Sequence, residues 1–177
     1  MSEVKFKRII DNFNDAPFIA ALIIAPSCSR GCVGCQNQHI QDEEDILDDP
    51  RATGEAIRDN PFWDGIILGG LEPLDDMENF KQLMEVVRFS EVAKLMIYTS
   101  YELYDVPLNI VPRNVRSLYI KTGKYIQDSE TVTYSLRSWE LELASDNQTL
   151  HLLQRNSVDE WIAAPVIKCR KNNSTKS

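Results

Sequence analysis

The sequence predicts a single α/β domain built on a mostly parallel sheet. Four short apolar runs have strand length: residues 18–25 (FIAALIIA), 65–68 (GIIL), 94–99 (KLMIYT) and 115–121 (VRSLYIK). Helical patterns separate the first three runs, and strands joined in this way form right-handed crossovers between parallel neighbours. The 177 residues suffice for one hydrophobic core and fall short of two full domains.

Each element has its own local reason. Pro17 and Pro26 bracket residues 18–25, which read as a buried strand. Asp49 is placed to cap a short helix with Pro50 in its first turn, running towards Asp59. The second strand ends in Gly69-Gly70. Asp75 or Asp76 then starts the clearest helix, because Met77, Phe80, Leu83, Met84 and Val87 recur at helical steps on one face. Its methionines are core filler rather than metal ligands. A helical turn is expected around residues 101–104, before Pro107 and Pro112 interrupt the chain. Beyond Gly123 the pattern weakens. Residues 150–154 predict a further strand, residues 158–163 a closing helical turn, and the polar stretch 170–177 a frayed tail.

Composition narrows the function. A net charge of −8 disfavours direct binding to a nucleic-acid backbone. The acidic stretch 41–49 (QDEEDILDD) reads as a solvated loop. The longest apolar run is far below a bilayer span, and residues 1–15 lack the apolar core of a secretory signal. A soluble, cytoplasmic protein is therefore expected, with no membrane partner. No G-x-G-x-x-G fingerprint and no nucleophile elbow is present. Trp63, Trp139 and Trp161 lack a base-stacking pattern and read as core or interface anchors.

The chemical signal is the cysteine loop PSCSRGCVGCQN. Cys28, Cys32 and Cys35 are spaced C-x3-C-x2-C directly after the first strand. Iron–sulfur clusters are held mainly by cysteine thiolates, and three of them leave a fourth iron without a protein ligand. Such an open position distinguishes a reactive metal site from a structural one. The competing reading is zinc, with His39 or Cys169 as fourth ligand. Structural zinc sites often pair two C-x-x-C knuckles, and this chain has one. Cys169, otherwise, reads as an ordinary semi-buried thiol, and His39 and His151 as ordinary histidines. Functional loops of a parallel sheet leave the carboxyl ends of its strands. The cysteine loop, Gly69-Gly70, Thr99-Ser100 and Lys121-Thr122 all fall there, on one predicted rim.

With its Gly-Gly-Leu-Glu-Pro turn at residues 69–73, the loop resembles the radical S-adenosylmethionine superfamily. CSRGCVGCQN, with Gly34 and Asn37, is similar to the small activating enzymes of glycyl radical proteins. Residues 95–101 (LMIYTSY), 119–126 (YIKTGKYI) and 143–153 (LASDNQTLHLL) resemble, in order, segments of activating proteins of anaerobic (class III) ribonucleoside-triphosphate reductases.

That resemblance implies a shortened partial (β/α) barrel over residues 1–169. It implies a 4Fe-4S cluster on Cys28, Cys32 and Cys35, whose open iron binds the amino and carboxylate groups of S-adenosylmethionine. One electron then cleaves the sulfonium, releasing methionine and a 5′-deoxyadenosyl radical that abstracts hydrogen. The implied partners are the large subunit of the reductase, which receives a glycyl radical, and an electron donor such as flavodoxin. Gly34 and Asn37 would belong to the cofactor site. Gly69 and Gly70 would let the backbone approach the methionine moiety, with Glu72 assisting or shaping their turn. Thr99, Ser100 and Lys121 would face the ribose or carboxylate side. Leu71, inserted before the acid, and Ser100, in place of a usual glycine, depart from the family pattern. Two alternatives stand beside this one: an activator of the pyruvate formate-lyase type, and a non-catalytic metal-binding or electron-transfer protein.

Overall fold

The computed structural model describes residues 3–169; the polar stretch 170–177 lies outside the described residues. In chain order the elements are β1 (Val4–Phe6), β2 (Ile9–Asn12), β3 (Ala20–Ile24), β4 (Ile46–Asp48), α1 (Pro50–Arg58), β5 (Gly65–Gly69) and α2 (Met77–Ser90). There follow β6 (Lys94–Tyr98), β7 (Ser117–Thr122), β8 (Val132–Leu136), β9 (Trp139–Leu143), β10 (Thr149–Arg155), β11 (Trp161–Ala164) and β12 (Ile167–Cys169). Seven strands make one mixed sheet in the order β11-β10-β7-β6-β5-β3-β2. Its centre, β3-β5-β6-β7, is parallel. The flanking strands β2, β10 and β11 run antiparallel to their neighbours.

Side chains alternate across each strand, and here both faces are covered. Ile66, Leu68, Leu95, Ile97, Leu118 and Ile120 join α1 and α2 in one core. Ala20, Ile67, Met96 and Tyr119 face the other way, against Tyr134, Leu141 and Leu143 of the small sheet β12-β8-β9. Double burial is why the central strands read as unbroken apolar runs.

The helices begin where their caps predict. Asp49 accepts a hydrogen bond from the Ala52 amide at 3.1 Å, ahead of Pro50. Asp76 accepts from the Asn79 amide at 3.0 Å, and Glu91 ends α2 with φ +59°. Their packing is close at Gly54. An added Cβ there would lie 2.6 Å from the Val86 carbonyl oxygen and 2.7 Å from Phe89 Cβ. Alanine normally improves a helix interior by about 1 kcal/mol over glycine. Here the clash reverses the sign. Gly54→Ala is expected to cost roughly 2 kcal/mol, which a thermal melt would register as a fall of about 4–8 °C.

Two expectations change. Residues 158–163 are not a helical turn: their end enters β11, whose Trp161 and Ile162 pair with Arg155 and Gln154 of β10. The acidic stretch is not wholly loop, since Ile46–Asp48 forms β4 against β1. Lys7 ties this stretch to the main sheet. It is 7% exposed, sits 2.8 Å from Asp45 and donates to the Gln41 carbonyl at 3.0 Å. The helical turn expected around residues 101–104 is present as a single turn of 3₁₀ helix at Leu103–Asp105, followed in the same β6–β7 connection by another at Leu108–Ile110. Among the described residues, no helix is long and apolar enough to cross a membrane.

Candidate metal centre

A cavity of about 560 Å³ opens at the carboxyl ends of the parallel strands. Cys28, Cys32 and Cys35 all border it, as do Asn37, Gly70 and Glu72. Thr99, Ser100 and Lys121 complete the set brought together from the four strand-end loops. Gly34 and Gly69 are not on its wall. Gly34, at φ +71°, backs onto the Gln127 side chain, and Gly69 packs on Tyr98. Neither His39 nor Cys169 lines the cavity, and Cys169 pairs with Thr133 in the outer sheet.

The turn after β5 is built around its acid. Glu72 is 5% exposed. Its Oε1 accepts from Thr99 Oγ1 at 2.7 Å and from the Leu74 amide at 3.2 Å. Its Oε2 accepts from the Ser100 amide and hydroxyl, both at 2.7 Å. The carboxylate thus clamps the loop after β5 to the loop after β6. Ser100 earns its place by this contact, which a glycine side chain cannot make. Leu71 has a structural role as well: it is buried with Ile24, Ala25 and Ile40, and Cys28 packs against this cluster. Gly70 adopts φ +73°, and an added Cβ would lie 2.9 Å from Ile24 Cγ2. Its carbonyl accepts from Asn37 Nδ2 at 2.8 Å, which ties the end of the cysteine loop to the same turn.

A second anchor was hidden in the sequence. Asp75, expected only as a helix start, accepts from the Ser29 amide in the cysteine loop and from the Tyr101 hydroxyl at 2.8 Å. The late Asn-Gln segment is also structural. Gln148 Nε2 donates to the Gly123 carbonyl at 3.3 Å, and Asn147 Nδ2 to the Lys124 carbonyl at 2.9 Å. Both shape the turn that follows β7.

Burial pushes the Cys28 thiol above its ordinary range; a hydrogen bond from the Arg30 amide opposes this, while Asp75 and Glu72 reinforce it. A bound cation reverses that balance and deprotonates a coordinating thiol. Burial likewise pulls Lys121 down to about 8, against the attraction of Glu72 and Cys32. A lowered ammonium pKa means the unfolded chain binds more protons. The penalty is fully present below pH 8 and is relieved as pH rises towards 10.5, the ordinary lysine value. Stability of the metal-free protein is therefore expected to rise across this window in denaturant titrations. Lys121→Met is expected to flatten that rise and to be the more stable form at pH 7.

The donor set can be tested against the group it implies. Three soft thiols and no histidine suit iron–sulfur chemistry. Among the described residues, no three His, Cys, Asp or Glu side chains gather around a single ion position. The thiols border a shared volume instead. That volume lies in the range of small-molecule sites and leaves room beyond a cluster. The residues present fit the group.

Comparison with the curated proteins and with the solved structures found no match. A family model, the 4Fe-4S single cluster domain, matches residues 19–151, from β3 to β10. This span includes the four strand-end loops that converge on the cavity, and most of the chain. The protein belongs to the 4Fe-4S single cluster domain family.

Proposed function

We propose that the protein is a radical S-adenosylmethionine enzyme that activates an anaerobic ribonucleoside-triphosphate reductase by generating a glycyl radical on its large subunit. The observation that carries this reading is the convergence of four strand-end loops on one cavity with three free thiols on its wall. In this reading the central sheet is the wall of a shortened partial barrel. When bound, the cluster and S-adenosylmethionine supply a one-electron cleavage of the sulfonium and a radical able to abstract hydrogen.

The chain's own residues bind, orient and shield. Cys28, Cys32 and Cys35 hold the cluster. Gly70 presents backbone to the cofactor's methionine end, held in place by Asn37 and by burial of Leu71. Glu72 spends its acceptors on Thr99, Ser100 and Leu74, so it orders these loops rather than reaching the guest. Lys121 borders the cavity with its ammonium donating, among the described residues, only to the Gly123 carbonyl, at 3.3 Å, and pairs with a carboxylate of the guest. Among the described residues, the small sheet is the addition to the core fold that borders the cavity, through Leu141 and Leu143. An open mouth suits a protein loop as substrate, and thiolate chemistry of this kind suits a reducing cytoplasm.

The experiment combines the anaerobically reconstituted protein, flavodoxin or dithionite, S-adenosylmethionine and candidate partners. A glycyl radical signal on the reductase, with 5′-deoxyadenosine formed, supports the proposal. A radical formed only on a pyruvate formate-lyase-type partner moves the assignment there. No 5′-deoxyadenosine with any partner refutes the radical chemistry.

A further inference from the structure

Arg30 occupies the middle of the spacer between Cys28 and Cys32 and borders the same cavity as the cysteines. Its guanidinium carbon lies 4.4 Å from the centre of the Tyr101 ring, and the Tyr101 hydroxyl is fixed on Asp75. Stacking of this kind uses the flat face of the guanidinium and leaves its N–H edge free. The Nε of Arg30 is buried without a hydrogen-bond partner, a position shared by no other buried side-chain nitrogen or oxygen among the described residues.

Another stacked arginine shows what a structural role looks like. Arg155 lies 4.1 Å over Trp161, yet its Nε donates to the Val115 carbonyl at 3.0 Å and its Nη2 to the Val111 carbonyl at 2.7 Å. It also pairs with Asp159 at 3.2 Å. Arg30 has no ion pair among the described residues, and the nearby Asp75 has one carboxylate oxygen on Tyr101 and the other on the Ser29 amide. The guanidinium charge is therefore left without an anionic protein partner on the wall of the cysteine cavity.

We propose that Arg30, a cation held on the cavity wall that the three cysteines share, raises the reduction potential of the bound cluster. The role rests on the family's cluster and not on the S-adenosylmethionine reading. Reduction adds one electron from a low-potential donor, a flavodoxin-class protein or dithionite, and no covalent bond forms or breaks. The added negative charge is what Arg30 offsets. Hydrogen bonds to sulfur and net local charge are established determinants of cluster potentials.

The test is a potentiometric titration of the full-length reconstituted protein with dithionite, without S-adenosylmethionine, the reduced fraction being counted by electron paramagnetic resonance. Arg30→Gln is expected to lower the reduced-to-oxidised ratio at a fixed potential about tenfold, a 59 mV fall in midpoint for one electron. Arg30→Lys keeps the charge without the stacked guanidinium plane and recovers part of the shift. Tyr101→Leu leaves the cysteine loop sequence intact, releases the guanidinium and moves the midpoint the same way. Should Arg30→Gln fail to load iron, Tyr101→Leu decides by the same criterion. Unchanged midpoints at equal iron and sulfide content overturn the role. A shift seen only after S-adenosylmethionine is added also overturns it, by assigning Arg30 to that molecule's carboxylate. A wild-type chain that takes up no iron and sulfide removes the cluster itself, a failure distinct from both.

Discussion

Cys32→Ser is expected to abolish cluster loading and, with it, the 5′-deoxyadenosine formation proposed for the wild type. Cys32 lies between the other two thiols in the loop and borders the shared cavity. Serine keeps the shape but replaces a soft thiolate with a hydroxyl that iron–sulfur centres rarely accept. Iron and sulfide analysis of the reconstituted variant checks the first half of the expectation. The fold should survive, because Cys32 is half-buried at the rim while the sheet core lies beneath it. Zinc bound without sulfide, in both wild type and variant, would favour the non-catalytic alternative.

Glu72→Gln is expected to produce the largest loss of stability of any single polar change at the site. The substitution keeps size and planarity but turns one acceptor oxygen into a donor. Whichever way the amide is turned, that donor meets groups that also donate: Ser100 N–H on one side, or the Leu74 amide on the other. Hydrogen bonds to a buried charge contribute about 1.5–3 kcal/mol each, and a donor left facing a donor forfeits more than that. A cost of roughly 3 kcal/mol follows, or about 6–12 °C in the melting temperature of the metal-free protein. An unchanged melt with weakened S-adenosylmethionine binding would mean that Glu72 serves the guest and not the loops.

What the sequence made legible follows burial. The central strands are covered on both faces, so each prints as an apolar run, and the helix starts print as Asp49-Pro50 and Asp76. The rim was legible because four strand ends each carry a glycine, hydroxyl, lysine or cysteine. The hairpin β8–β9 lies beyond Gly123, where the apolar pattern weakens, although Val132 and Tyr134, then Leu141 and Leu143, alternate inward with period two. Exposed β2 and β11 bury little, so their pairing rests on backbone hydrogen bonds that leave no side-chain pattern. Long-range polar contacts are the least legible of all. Asp75 reaches Ser29 across 46 residues, and Arg30 meets Tyr101 from a different loop. No local spacing encodes either contact.

The most direct measurement of the central claim is electron paramagnetic resonance on the reduced, anaerobically reconstituted protein, with and without S-adenosylmethionine. A site with three cysteine ligands and an open iron predicts a cluster spectrum that changes when the sulfonium compound is added. A spectrum indifferent to it, from a centre whose irons all have protein ligands, would contradict the account.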